Sequence, residues 1–250
     1  MRSFRPAILC LVLAFLALAP IALAQPESAP YVRKNSFGIL FAYSNDSGHI
    51  LFGEAEQRKL LNIGVSYSRK LIAGRIVNFQ FDAEILPVAL ESDPLTHLVT
   101  QYTSPDTATF VYDGLSPMVK CDPTTTPFTY VLNDVVYKGT STTYCRGRQW
   151  TMGTAMSPAG LQWNFLPHHR LQPFLVSHGG YMFSTHAIPI YYAGSFNFTV
   201  DAGGGLEYFR THGQSIRAQW RYHHTSNHDT ALENPGIDNG LFQVSYVFGR

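Results

Sequence analysis

Apolar and polar residues alternate with a period of two along much of the chain. The clearest stretch covers residues 216–223, where Ile, Ala, Trp and Tyr at even positions alternate with Arg, Gln, Arg and His at odd positions. Similar stretches cover residues 61–68, 78–85 and 196–203. Because successive side chains of a β-strand point to opposite faces, each stretch predicts a strand with one apolar and one polar face.

Eight such segments are predicted, and several reach the length of about 9 to 11 residues that a tilted strand needs to cross a bilayer. The connectors between them alternate in length: residues 45–58 and 88–148 are long, whereas 71–73 and 211–213 are short. Long external loops that alternate with short periplasmic turns are typical of outer-membrane barrels. The sequence therefore predicts an all-β fold, an eight-stranded antiparallel transmembrane β-barrel with a long external loop over about residues 88–148. The segments are approximately 36–44, 59–70, 74–87, 149–165, 171–184, 195–210, 214–226 and 238–248.

A secreted β-sandwich is the alternative all-β architecture, because it too is built from patterned strands. The two architectures differ in where the charged residues of the polar faces lie: in solvent for a sandwich, and in the lumen for a small barrel, where acids and arginines can pair. Aromatic residues near strand ends also suit the interfacial girdles of a barrel. One departure is that Gly249 and Arg250 follow Phe248, whereas many such barrels end on an aromatic residue. The charged residues that fall on the predicted polar faces are Asp82, Glu84, Asp201, Glu207, Arg217 and Arg221.

The composition argues against a nucleic-acid binder. The net charge is +1 and only 14% of the residues are charged, so the expected basic excess is missing. Beyond the N-terminal segment, no window contains the run of about 18 apolar residues that makes a transmembrane helix. Any contact with a membrane must therefore come through alternating strands.

Residues 1–24 have the pattern of a secretory signal peptide. Two arginines precede an apolar run, and Ala22 to Ala24 form a cleavage site of the A-x-A type. A retained anchor is the alternative, which is disfavoured because the apolar run is short and Pro20 follows it. We expect a mature single barrel domain over residues 25–250, located in the outer membrane of a Gram-negative-type cell.

The cysteines predict a disulfide. Cys10 leaves with the signal peptide, which leaves Cys121 and Cys145 in one polar segment. In an oxidising compartment such a pair favours a disulfide, which contributes roughly 3 kcal/mol by loop-entropy reasoning. A metal site is disfavoured because no further Cys or close His completes it.

Three polar residues near the C-terminus fall on the face that is otherwise apolar. In the seventh segment the apolar positions are even, and this parity continues to His224 and Ser226. The eighth segment is apolar at even positions too, and the same parity extended backwards reaches Asp238. A hairpin joins the two segments, so all three residues are expected at the same external rim. Burying such groups at a lipid boundary costs free energy unless they bond to one another.

This C-terminal segment resembles a known family. H-T-S-N from His224 to Asn227, N-P-G-I-D from Asn234 to Asp238 and the aromatic strand that follows are similar to the outer-membrane lipid A 3-O-deacylases of the PagL type. The resemblance implies an eight-stranded barrel with a serine hydrolase site open to the outer leaflet. It implies Ser226 as nucleophile, His224 as general base and Asp238 as orienting acid. The family acid is usually glutamate, so Asp238 is shorter by one methylene.

The same resemblance implies Asn227 and Asn234 as oxyanion donors. A serine hydroxyl attacks an ester poorly until an imidazole takes its proton, and a carboxylate orients that imidazole. Glu233 is the competing acid, disfavoured because it has no match in the family and falls on the opposite parity. His223 has lumen parity and is expected to partner interior acids, and a metal clip with His228 is disfavoured because that histidine lies beyond the strand.

The function implied is an ester hydrolase that removes an acyl chain, 3-O-linked in the family, from lipid A in the outer leaflet. Its expected partners are lipid A or lipopolysaccharide and the lipid of the outer membrane, with no nucleic acid, no metal and no organic cofactor. Both a monomer and a homodimer remain open. The alternative function is a catalytically silent structural or adhesive barrel that binds a partner through its disulfide-closed loop.

Overall fold

The computed structural model describes residues 31–103, 109–116 and 119–250, so the predicted signal peptide lies outside the described residues. Among the residues described, none forms a helix long and apolar enough to cross a membrane. The strands are β1 (Asn35–Ser44), β2 (Lys59–Ile72), β3 (Val77–Thr103), β4 (Thr109–Ser116), β5 (Thr124–Leu132), β6 (Val135–Phe165), β7 (Leu171–Ser184), β8 (Phe196–Thr211), β9 (Gln214–Ser226) and β10 (Ile237–Gly249).

Eight of these strands close into a ring. Each strand of the ring pairs antiparallel with its neighbours in the order β3, β2, β1, β10, β9, β8, β7, β6, and β6 pairs back onto β3. Closure pairs the backbone groups that an open sheet leaves free at its edges. The prediction of an eight-stranded antiparallel barrel is therefore confirmed, and the two-sheet sandwich is excluded.

The long connection between the third and fourth ring strands differs from the single loop expected over residues 88–148. In the structure β3 and β6 run beyond the ring and stay paired as far as Thr103 and Lys138, and β4 and β5 add one strand on each side. The sequence pattern missed this extension because register shifts between Leu86 and Ala89 and between Pro94 and Thr96 interrupt the period of two. Bulges of this kind displace side-chain parity without ending the strand.

A disulfide joins the β4–β5 connection to β6 within the extension. Cys121 and Cys145 are bonded, with their Cα atoms 5.7 Å apart. Next to it, the Lys120 ammonium lies 3.2 Å from the Glu56 carboxylate in the β1–β2 connection. The β4–β5 connection is thus linked to the β1–β2 connection as well as to β6.

The faces of the barrel wall are apolar outside and polar inside. In β1 the residues at odd positions are exposed and those at even positions are buried. The exposed residues of the ring include large apolar and aromatic side chains on every strand. This is the reverse of the arrangement in a soluble protein, and it is the arrangement that a lipid surround requires. Examples are Phe37, Ile39, Phe41, Val65, Ile85, Leu175, Val200, Trp220, Phe242 and Val244.

The interior holds a network of ion pairs. Arg221 donates from Nη1 and Nη2 to Glu84 Oε2 at 3.1 Å each. Arg217 Nε lies 3.0 Å from Glu207 Oε2. His223 contacts the Asp201 carboxylate through Nδ1, as its lumen parity suggested. The acids and arginines that the sequence placed on the polar face therefore neutralise one another inside the barrel.

Removing one cation from this network should destabilise the barrel. We expect Arg221→Met to lower the free energy of unfolding by about 3 to 5 kcal/mol, because it leaves the buried Glu84 and Asp201 carboxylates without their compensating charge. Urea unfolding of the refolded barrel in detergent measures the change. Arg146→Met is the control, since Arg146 is exposed on the extension. Equal stability of the two variants would contradict the assignment of a structural role to the network.

Candidate functional site

The two C-terminal strands bring His224 and Asp238 together. They are register partners on β9 and β10, and His224 Nδ1 lies 2.7 Å from Asp238 Oδ1. A carboxylate only accepts hydrogen bonds, so Nδ1 carries the proton of this bond and the neutral imidazole keeps its lone pair on Nε2. This is the tautomer that a general base requires.

Three further donors hold the Asp238 carboxylate. Tyr222 donates its hydroxyl to Oδ1 at 2.7 Å. The backbone N–H groups of Leu51 and Phe52 donate to Oδ2 at 2.6 and 2.9 Å. The β1–β2 connection covers the carboxylate in this way, and Asp238 is fully buried although its parity points to the outer face. A carboxylate with four donors is favoured in its charged form.

Ser226 lies on the same outward face, two residues beyond His224 and at the end of β9. It is partly exposed, and its register partner on β8 is Phe198. Residues two apart on one strand have Cβ atoms roughly 6 to 7 Å apart, which lets a tilted imidazole approach the hydroxyl. Between Ser226 and His224, both of them described, the structure contains no hydrogen bond. The role of Ser226 as nucleophile stays a prediction.

Asn227 and Asn234 organise the β9–β10 loop. The Asn227 backbone N–H donates to Asn234 Oδ1 at 3.0 Å, and Asn227 Nδ2 donates to the Glu233 carbonyl at 2.7 Å. Asn234 Nδ2 donates to Asp229 Oδ1 at 3.2 Å. Both amide groups have protein partners in this state, so their role toward an oxyanion stays a prediction. Glu233, the competing acid, is exposed.

One group of potential metal ligands occurs among the described residues, and it lies in the lumen. Asp82, Glu84 and His178 present ligand atoms within 4.8 Å of one another. Each is already in contact with a cation or a donor: Arg221 binds Glu84 and His178, and Arg217 Nη1 lies 3.6 Å from Asp82 Oδ2. We assign this cluster to the ion-pair network of the interior.

Sequence reasoning missed part of the surroundings of the site. The alternation along β9 placed Tyr222 on the outer face, but nothing in the sequence indicated that its hydroxyl donates to Asp238. The Leu51 and Phe52 contacts come from backbone atoms, which leave no side-chain signal in the sequence. The Phe52 ring also lies against the His224 imidazole, with centroids 5.5 Å apart and planes at 73°.

The closed ring, its apolar outer wall and a His–Asp pair that faces outward define an outer-membrane β-barrel with a candidate hydrolase site at its rim. A family model described as lipid A 3-O-deacylase (PagL) matches residues 125–247. This match covers just under half of the chain and supports the predicted resemblance to the PagL type. The predicted outer-membrane location is confirmed. No curated protein sequence matches the chain.

Similar solved structures are also outer-membrane barrels. The outer membrane enzyme PagL is 12% identical, with 85% of this chain and 99% of that chain covered and a TM-score of 0.47. Neisserial surface protein A is 8% identical, with coverage of 86% and 97% and a TM-score of 0.42. OprG from Pseudomonas aeruginosa is 10% identical, with coverage of 88% and 98% and a TM-score of 0.41. The barrel architecture itself rests on the strand pairing described above.

Proposed function

We propose that the protein is a serine-dependent esterase that removes a 3-O-linked acyl chain from lipid A in the outer leaflet. The coarser part of this assignment, an outer-membrane deacylase of lipid A, is supported by the match to the family model. The observation that carries the finer part is the 2.7 Å bond between His224 Nδ1 and Asp238 Oδ1 on the outward face that Ser226 shares. The 3-O position is supported by the description of the family.

The reaction proceeds in two halves. The Ser226 hydroxyl attacks the ester carbonyl while His224 Nε2 takes its proton, and the tetrahedral intermediate collapses to an acyl-serine as the imidazolium protonates the departing lipid alkoxide. A water molecule, deprotonated by the same imidazole, then hydrolyses the acyl-serine. The products are a fatty acid and lipid A with one hydroxyl freed.

The Asp238 carboxylate stabilises the imidazolium in both halves. It is held by four donors and does not need to reorient as charge develops on the imidazole, which is the condition under which fixed charges lower a barrier most. Arg221 and the other lumen cations are separated from it by the barrel wall, since Arg221 lies on the inward parity of β9.

The position of the site suits a lipid substrate. An ester buried among acyl chains is accessible from the outer wall near the external rim, and it is not accessible from a lumen filled with ion pairs. The side chains around the site on this wall are apolar, with Phe52, Phe198 and Val200 all exposed. Apolar surroundings match the acyl chain, and the partly exposed rim admits the water that the second half requires.

Mass spectrometry of lipid A tests the proposal. Cells that produce the protein should contain lipid A lighter by one hydroxyacyl group than cells that lack it, and tandem fragmentation should place the loss at a 3-O-linked position. Cells that produce Ser226→Ala at the same level are the control. Unchanged lipid A in cells with a folded wild-type barrel would refute the function, and loss from another position would refute the 3-O assignment alone.

A further inference from the structure

The β1–β2 connection closes over the candidate site. The N–H groups of Leu51 and Phe52 hold Asp238, and two residues that follow them bond to the segment just before β10. Glu54 N donates to the Pro235 carbonyl at 2.6 Å, and Ala55 N donates to the Gly236 carbonyl at 3.0 Å. Ala55 also forms a parallel bridge with Ile237. We call the segment from Ile50 to Gly53 the clamp. Its own N–H groups hold the Asp238 carboxylate, and the bonds of Glu54 and Ala55 fix the chain directly after it.

The side chains of the clamp point away from the protein. Ile50, Leu51 and Phe52 are 50%, 61% and 70% exposed. Phe52 nevertheless keeps the edge-on contact with the His224 ring, whose side chain is only 15% exposed. The clamp therefore touches both members of the His–Asp pair, one through backbone donors and the other through an aromatic ring.

Close packing of the clamp depends on a glycine. A Cβ atom at Gly53 would lie 2.5 Å from Asp238 N, 2.8 Å from Ile237 C and 3.0 Å from Asp238 Cγ. Two of these neighbours are backbone atoms of a strand, which cannot move aside as a flexible side chain can. Earlier in the same connection, a Cβ atom at Gly48 would meet nothing within 4 Å.

We propose that the clamp is a positioning element of the esterase, which holds the Asp238 carboxylate and the His224 ring in the orientation that pairs Oδ1 with Nδ1. This inference rests on the proposed function. The Asp238 carboxylate is held on the side of Oδ2 by backbone donors of the clamp. A displacement of about 1 Å in such a support lowers a rate by roughly 10²-fold.

The test compares Gly53→Ala with Gly48→Ala in the full chain, refolded in detergent with lipid A as substrate. We expect Gly53→Ala to lower kcat by about 10²-fold with little change in KM, whereas Gly48→Ala should keep the wild-type kcat. The proton NMR signal of His224 Nδ1–H, far downfield and identified by its loss in His224→Ala, should shift or disappear in Gly53→Ala only. Heat-modifiable migration on gels confirms that each barrel is folded.

A second pair of variants serves if Gly53→Ala does not fold. Phe52→Ala should lower kcat and move the His224 signal, and the conservative Phe52→Tyr should restore both. Wild-type kcat and an unshifted signal in folded Gly53→Ala, or in Phe52→Ala, would overturn the clamp. If the clamp fails in this way but Ser226→Ala is inactive, the proposed esterase still stands. If the folded wild-type barrel does not deacylate lipid A, the esterase is refuted. The NMR signal of His224 then tests the clamp by itself.

Discussion

Ser226→Ala is expected to abolish the release of fatty acid from lipid A while the barrel stays folded. The alanine has no hydroxyl to form the acyl-serine, and without this intermediate the His224–Asp238 pair has no nucleophile to activate. Loss of the serine from a triad removes at least about 10⁴-fold of the rate. The partly exposed side chain supports no described hydrogen bond, so its removal should leave stability unchanged.

The measurement is fatty acid release from purified lipid A in detergent by wild type and variant, with stability checked by urea unfolding. Ser195→Ala is the matched control, because Ser195 is exposed in the β7–β8 connection and has no assigned role. Deacylation by Ser226→Ala at the wild-type rate would remove the serine mechanism. The deacylase itself would stand in that case. The adhesive barrel would be favoured only if wild type released no fatty acid, and its binding surface would then be the extension, whose stacked Tyr130 and Tyr137 rings lie 4.8 Å apart beyond the ring of strands.

The second large effect is expected for Asp238→Asn. The amide can still accept the bonds from Leu51 and Phe52 through its oxygen, so the loop should stay in place. It lacks the negative charge that stabilises the imidazolium, and its NH₂ group disfavours the tautomer with the proton on Nδ1. In a triad this change lowers kcat by about 10⁴-fold with the geometry intact.

Steady-state kinetics at saturating lipid A measure this effect. Glu233→Gln is the control, since Glu233 is the competing acid and lies exposed to solvent in the β9–β10 connection; it should keep the wild-type kcat. A loss of similar size in Glu233→Gln and an active Asp238→Asn would reverse the assignment of the acid. Asp238→Glu adds the methylene of the usual family residue, and its rate reports how far the surrounding donors are adapted to the shorter side chain.

Much of the architecture could be predicted from whether a residue stands at an odd or an even position of its strand. Each ring strand inside the bilayer must present apolar groups to lipid and polar groups to the lumen, so Arg217 and Trp220 could be assigned to opposite faces by counting alone. The same counting put His224 and Asp238 on one face, and the hairpin between β9 and β10 made them register partners. A period of two is a strong signal because a shift by one residue would turn every charge toward lipid.

Features that depend on distant backbone contacts were not accessible in this way. The contact between Leu51 and Asp238 spans 187 positions of the chain and involves an amide that every residue except proline possesses. The extension of β3 and β6 was hidden because its strands, such as β5, are exposed on both faces and show no apolar periodicity. Side-chain patterns predict which face a residue takes, but they do not predict which loop folds back over a site.

The ion pairs that fill the interior determine the route by which a lipid substrate reaches the site and a fatty acid product leaves it. Neither a lipid nor a cleaved fatty acid can pass along an axis blocked by arginine, glutamate and aspartate, so both must travel sideways within the leaflet. Turnover is then coupled to the fluidity of the surrounding lipopolysaccharide, and a stiffer monolayer would slow the enzyme without altering any of its atoms.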